Sequence, residues 1–344
     1  MHPQVNLYPT IDYRIEAFSR LHFGLLEIHP QAPHCFGGIG LMVDKPSVRL
    51  GLTRSFDPMN GSIQDPCPGW TDAHWKERFL RVYSRWQSRT ARVCPSPVEL
   101  QFAPLPHVGL GSGTQFACAA AALLNRSMDS NPDSGHLDAS WLIDSGRGLR
   151  SHIGLHGFLH GGLILDRGDL QAVRGTQADR TAVYSFPGQW RVVLLHEDNY
   201  QGDFGESEQA IFDRCSERPN PNLRRMLELI EEQILPSVTK IDYQGACEGF
   251  GRYGELAGEI FRPAVGDAYR SSRIRFWVDR LRGLGFQGVG QSSWGPVVFA
   301  IARDEHQADW LIKAIGRDLH SGGWTYVAQV AGPASMESGL SRIG

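Results

Sequence analysis

Residues 104 to 123 read Pro104-Leu105-Pro106-His107-Val108-Gly109-Leu110-Gly111-Ser112-Gly113-Thr114-Gln115-Phe116-Ala117-Cys118-Ala119-Ala120-Ala121-Ala122-Leu123. A glycine-rich turn runs straight into an alanine-rich helix. Glycines let backbone N–H groups approach a ligand with no Cβ in the way. The helix start adds unpaired N–H donors and the positive end of the macrodipole. Together they make a seat for phosphate or pyrophosphate, to which Ser112 and Thr114 can add hydroxyls. A tight turn with a helix cap is the competing reading. The preceding run Val98-Glu99-Leu100-Gln101-Phe102 alternates as a strand, and strand, glycine turn, helix is the order a phosphate loop needs. The small residues from Ala117 to Ala122 predict a helix lying close on a sheet.

The 344 residues suffice for one large or two medium domains, and 41% hydrophobic content fills a core. A net charge of −3 gives no basic field for nucleic acid or a membrane surface. Lysines occur only at Lys45, Lys76, Lys240 and Lys313, against thirty arginines, whose planar fork suits carboxylate and phosphate. The six cysteines form no CxxC pair and read as reduced residues of a cytoplasmic protein. No apolar run reads as a signal peptide or a membrane span, and no internal repeat is visible.

Outward from the turn, residues 13–28 alternate as a strand with a break near Gly24 and place Arg20 and His22 on one face. The glycine-rich turn from Phe36 to Gly40 precedes another short strand. Trp75, Phe79, Val82, Tyr83 and Trp86 make the buried stripe of a helix over 71–88, capped by Thr71 or Asp72. Residues 125–138 form a surface loop. Residues 151–166 predict two strands around Gly161-Gly162. His152, His156 and His160 would then sit about 13 Å apart along a strand, too far to share one zinc ion, so a polar strand face is expected.

Residues 190–196 form an apolar strand that opens into an acidic loop with Glu197, Asp198, Asp203, Glu206 and Glu208. That loop is either a solvated turn or a set of hard oxygen ligands for Mg²⁺ beside a pyrophosphate. Asn220-Pro221 starts a helix that Pro236 should stop. Asp242 caps another over 243–262, whose glycines imply close backbone packing. Helices over 273–284 and 304–315 flank a second polar glycine turn, 288–296, that leads into a strand, and 324–330 is a last strand. The whole suggests α+β sheets with helices packed on them.

These residues resemble a known group. Gly109-Leu110-Gly111-Ser112 opening an alanine-rich helix looks like the phosphate loop of the GHMP kinase superfamily. The specific resemblance is to the β-ribofuranosylaminobenzene 5'-phosphate synthase family. It is carried by Ser19-Arg20-Leu21-His22, the stretch from Pro106 to Gln115, Gly146-Arg147-Gly148, Gly161-Gly162, and Gly290-Gln291-Ser292-Ser293-Trp294-Gly295-Pro296. The kinases usually carry a second serine where this chain has Gly113, which agrees with the synthase pattern.

The resemblance implies an α+β, GHMP-kinase-like two-domain fold. Residues 1–187 would be a ribosomal-protein-like α/β domain and residues 188–344 a ferredoxin-like α+β sandwich. It implies a decarboxylating pentosyltransferase joining phosphoribosyl pyrophosphate to 4-aminobenzoate or 4-hydroxybenzoate, on the way to tetrahydromethanopterin. On it, His107, Gly109, Leu110, Gly111, Ser112, Gly113, Thr114 and Gln115 are expected to bind phosphate. Arg20 or Arg147 would orient the carboxylate, and Gly290, Gln291, Ser292, Ser293 and Trp294 would bind substrate. Asp203, with Arg20, His22 and Arg147, would serve the chemistry, and Asp198 and Glu206 would hold Mg²⁺. Small-molecule substrates, no nucleic acid, no membrane and a homodimer are the expected partners. An ATP-dependent kinase of the same superfamily and a non-catalytic ligand-binding protein are the alternatives.

Overall fold

The glycine turn stands where two antiparallel sheets meet. The structure, a computed structural model, describes residues 10–54, 65–94, 96–127, 142, 144–147, 151–168, 180–197, 206–319 and 323–341. The first half runs β1 (Thr10–Leu25), β2 (Gly38–Arg54), α1 (Ala73–Thr90), β3 (Val98–Phe102), α2 (Ser112–Arg126), α3 (Ile153–His160), β4 (Leu163–Asp166) and β5 (Thr181–Tyr184). The second runs β6 (Arg191–His196), α4 (Glu206–Cys215), α5 (Leu223–Glu228), α6 (Leu235–Thr239), α7 (Tyr243–Glu259), α8 (Arg262–Val265), α9 (Ser272–Gly283), β7 (Val289–Gln291), β8 (Val298–Ala302), α10 (Glu305–Ile315), β9 (Trp324–Ala328) and β10 (Ser335–Ser341).

The first sheet has the order β10-β1-β2-β4-β5, with β3 also paired to β2, and the second has the order β7-β8-β6-β9. The first sheet is built from the N-terminal strands and from the last strand of the chain. There β10 returns to pair antiparallel with β1, from Thr10↔Ser341 to Glu16↔Ser335. The halves also share a core: Leu21, Leu41 and Leu163 pack in one cluster with Leu194, Phe250 and Phe299.

α2 is the central helix. From Phe116 to Leu124 every residue is buried, so the alanines do let it lie close on β1 and β2. α1 covers it from outside, with Trp75, Phe79, Val82 and Trp86 inward and Asp72 accepting from the Trp75 N–H. The break near Gly24 is a register shift between His22 and Gly24, where the tyrosine hydroxyl of Tyr253 donates to the Gly24 carbonyl at 2.9 Å. β2 is longer than the short strand expected.

Two expectations are corrected. Residues 153–160 are helix α3, not a strand, and only Leu163–Asp166 is extended. The glycines of this helix serve its packing. A Cβ on Gly154 would lie 2.9 Å from Cγ2 of Thr114, and one on Gly157 would lie 2.3 Å from Sδ of Met42. Tertiary contact therefore outweighs their helix cost of about 1 kcal/mol each. Pro236 does not end its helix either. A π-helical turn, Leu229–Ile234, sits before α6, so the proline falls in the first turn of a new segment, where no N–H is needed.

Candidate active site

Three segments are bonded together at the glycine turn. The Arg20 N–H on β1 donates to the Leu110 carbonyl at 2.9 Å. The Ser292 hydroxyl donates to the Gly109 carbonyl at 2.8 Å and accepts from the His22 N–H at 3.2 Å. The Ser293 N–H donates to the His22 carbonyl at 2.8 Å. Each glycine of the turn makes room for a different neighbour. Gly109 has φ +92°, and a Cβ there would lie 2.4 Å from the Ser292 carbonyl oxygen. A Cβ on Gly111 would lie 3.2 Å from Nε of Arg20, and one on Gly113 would lie 2.7 Å from Nη1 of Arg78 and 3.4 Å from Nη2 of Arg147.

The joint borders a cavity of about 430 Å³. Its lining is of two kinds. Arg20 lies beside Gly111, and Arg78 and Arg147 lie beside Gly113, with His22, His74 and His107 also in the wall. Leu25, Phe36, Phe212 and Trp294 belong to one apolar cluster. Trp294 stacks on Phe261 at 4.1 Å between ring centroids, which fixes that wall. No carboxylate lines the cavity among the described residues. His107 (φ +60°), Ser293 (φ +53°) and Phe36 (φ +57°) hold left-handed backbone that non-glycine residues rarely adopt, and all three line it. Such strain concentrates at functional sites.

Most of the expected residues converge here. Arg20, His22, His107, Gly109, Gly111, Ser112, Gly113, Thr114, Arg147, Ser293 and Trp294 all line the cavity. Others hold it from behind. Leu110 is buried, Gln115 donates to the Gly154 carbonyl at 2.8 Å, and Ser292 is the staple described above. Gln291 accepts from the Arg270 N–H at 3.0 Å and donates to the Ser293 carbonyl at 3.1 Å, while Gly290 lies within β7. Asp198 and Asp203 lie outside the described residues, and Glu206 is placed only as the first residue of α4. Glu197 instead pairs with Arg273 at 2.5 Å. His152, His156 and His160 line one face of α3, with successive ring centroids 6.4 and 5.9 Å apart. No group of three or more His, Cys, Asp or Glu side chains among the described residues is placed to hold a metal ion.

His74, Arg78, Phe36 and Phe212 are cavity residues that the sequence reading did not single out. His74 and Arg78 stand one turn apart on α1, beside the buried stripe. That i,i+4 pair of basic side chains next to an apolar stripe was the available signal.

Burial governs the electrostatics. It pulls the Arg20 guanidinium down to about 10 and lowers that of Arg147. Arg20, Arg78 and Arg147 have no carboxylate partner among the described residues, and Nε of Arg20 and of Arg78 is buried without a hydrogen bond. Burial, and after it the charge of Arg20, holds His22 well below its ordinary 6.5. Its Nδ1 accepts from the Gly24 N–H at 3.1 Å, so neutral His22 carries its proton on Nε2. His107 is lowered by burial and then by His74, whose ring meets it edge-on at 5.3 Å.

Because the folded pKa of His22 is depressed, the unfolded chain takes up its proton first as pH falls below 6.5. His22 therefore removes stability at a slope of up to about 1.4 kcal/mol per pH unit below that point. Urea unfolding at pH 7.5 and pH 5.5 should show wild type losing more stability than His22→Gln over that interval. Equal losses would contradict the assignment.

No family model matches the chain. Solved structures do match its fold. A homoserine kinase from Cytophaga hutchinsonii superposes with a TM-score of 0.57 at 14% identity, covering 98% of this chain and 100% of the kinase. Mevalonate diphosphate decarboxylase from Staphylococcus aureus gives a TM-score of 0.59 at 13% identity over 95% and 98% of the two chains. Mevalonate-3-kinase from Thermoplasma acidophilum gives 0.58 at 12% identity over 95% and 99%. The chain has the GHMP-kinase fold. In sequence it is similar to proteins named β-ribofuranosylphenol 5'-phosphate synthase. That of Methanothermobacter thermautotrophicus is 25% identical over 311 residues, 86% of this chain and 90% of the relative. That of Archaeoglobus fulgidus is 26% identical over 308 residues, 84% and 87%. The GHMP-kinase-like α+β fold is the one expected. Among the described residues no helix is long and apolar enough to cross a membrane.

Proposed function

We propose that this GHMP-fold chain is a synthase joining phosphoribosyl pyrophosphate to a 4-substituted benzoate, with release of pyrophosphate and CO₂, in the cytoplasmic route to tetrahydromethanopterin. The observation that carries the reading is the cavity's double lining. Three arginines without carboxylate partners among the described residues and a helix N-terminus suit a polyanion, and the cluster of Leu25, Phe36, Phe212 and Trp294 suits an aromatic ring. The relatives' name denotes a phenol product, which supports 4-hydroxybenzoate over 4-aminobenzoate.

The C1–O bond of ribose breaks with its electron pair leaving on pyrophosphate. The ring carbon bearing the carboxylate bonds to C1. The C–COO⁻ bond then breaks, its pair restores aromaticity, and CO₂ leaves. No side chain has to remove a ring proton, because the attacked carbon carries a carboxylate and loses CO₂ instead. The chain's work is electrostatic: donors at the turn receive charge as it builds on the leaving group. Arg20, on β1 beside Gly111 of the turn, orients the carboxylate bidentately. Neutral His22 offers an Nε2–H rather than a second cation. Mg²⁺, if bound, would neutralise pyrophosphate, held by Asp198 and Glu206, and Asp203 would answer the charge that builds on the ribose. Support for that set is its place in the chain: Asp198 and Asp203 precede α4, Glu206 begins it, and α4 carries Phe212 to the cavity. A homodimer remains the proposed assembly.

Incubation with phosphoribosyl pyrophosphate, Mg²⁺ and carboxyl-labelled benzoates should release labelled CO₂, faster from 4-hydroxybenzoate. No labelled CO₂ from either would sink the proposal. ADP formed from ATP on a metabolite panel, without pyrophosphate release, would favour a kinase instead.

A further inference from the structure

The missing side chain at Gly113 has been replaced by two others. A Cβ there would lie 2.7 Å from Nη1 and 3.0 Å from Cζ of Arg78, and 3.4 Å from Nη2 of Arg147. Two guanidiniums from separate parts of the chain therefore meet over the first turn of α2. Arg78 comes from α1. Arg147 follows Ser145, whose buried hydroxyl accepts from the Arg147 N–H at 3.3 Å and whose carbonyl accepts from Arg85 at 3.3 Å. The fold thus anchors the Arg147 backbone. Among the described residues, Arg78 makes a long hydrogen bond, 3.4 Å to the Gly113 carbonyl, and its Nε is buried without a partner.

Two like charges beside the positive end of a helix repel one another. The described residues lining the cavity offer no carboxylate to offset them. An anion bridging both guanidiniums and the first-turn N–H groups removes that penalty and gains charge-assisted hydrogen bonds.

We propose that Arg78 and Arg147 form a paired clamp for the diphosphate group of the substrate, and that glycine at position 113 is what admits the pair. The identity of the diphosphate carrier rests on the synthase reading, whereas the clamp itself does not. As the C1–O bond breaks, the electron pair moves onto the diphosphate and the new charge falls between the two guanidiniums, with no proton transferred. A serine at 113, the residue a kinase loop usually has there, would push the guanidiniums apart. Gly113 is thus a specificity position in its own right.

The test is calorimetric titration of the full chain with inorganic pyrophosphate in EDTA, with ribose 5-phosphate as the second probe. Arg78→Ala and Arg147→Ala should each weaken pyrophosphate binding at least tenfold. The double variant should lose less than the product of the two, because both side chains hold one ligand. Arg78→Lys, which keeps the charge and loses the fork, should recover only part of the loss, and Gly113→Ser should resemble the single alanine variants. Ribose 5-phosphate affinity should move less than twofold. Wild type that fails to bind pyrophosphate, an Arg78→Ala protein that binds it normally, or a loss confined to ribose 5-phosphate would overturn the clamp. Pyrophosphate binding that depends on both arginines with no CO₂ release would leave the clamp standing and remove the synthase reading. CO₂ release with unaltered pyrophosphate binding in Arg78→Ala would do the opposite.

Discussion

Arg20→Met should make the protein more stable and nearly inactive. Burial alone pulls the Arg20 guanidinium down to about 10, and no described carboxylate answers it. Keeping that charge buried costs free energy that an apolar side chain of similar length does not. Replacement of a poorly compensated buried charge typically gains about 1–3 kcal/mol. For a chain of this size each kilocalorie shifts Tm by roughly 2 °C or a little more. Turnover should fall by about 10³-fold, the usual scale for losing a group aimed at reacting charge. Thermal unfolding without ligand, and CO₂ release with it, give the two readings. A variant that is less stable, or that keeps even a tenth of the activity, contradicts the role given to Arg20.

Gly109→Ala should do the reverse and break the molecule at its joint. At φ +92° an alanine pays for a left-handed backbone, and its Cβ would lie 2.4 Å from the Ser292 carbonyl oxygen and 3.0 Å from Cα of Gly295. Both obstacles are backbone, so no rotamer change relieves them. Strain of this kind costs about 1–3 kcal/mol, and the forced separation adds the Ser292 staple to the loss. A total on the order of 4 kcal/mol is expected in urea unfolding, which would be exceptional for a single methyl group. Gly188→Ala, with nothing within 4 Å of its Cβ, is the matched control and should lie within about 0.5 kcal/mol of wild type. Similar values for the two variants would refute the close-approach argument.

Much of this was readable from residues alone, because local signals and tertiary demands agree there. Asp72 before the 75-79-82-86 stripe, the alternation at 98–102 and the alanines after Gly113 each point to one structure. α3 misleads because its glycines answer to Met42 and Thr114, which lie far away in sequence. The π turn before Pro236 has no local signature. Within the site, the turn announced Gly109, Gly111 and Gly113, but not which side chains would fill the room they leave. The sequence reading does not single out Arg78, and the packing of α1 on α2 carries it to Gly113. Ser292 and Gln291 were expected at the ligand, yet their polar atoms are taken up by backbone groups of the wall.

The return of β10 to the edge of β1 has a consequence for how the chain is made. β1 carries Arg20 and His22, and its register with β10 runs from residue 10 to residue 16. On the ribosome the first strand must therefore wait for residues 335–341 before its outer edge is covered. Until then it presents an open row of backbone donors and acceptors, the kind that templates pairing with another chain. The active site is thus complete only after the second sheet has been synthesised, and nascent chains stalled before residue 335 should be the form of this protein most in need of chaperones.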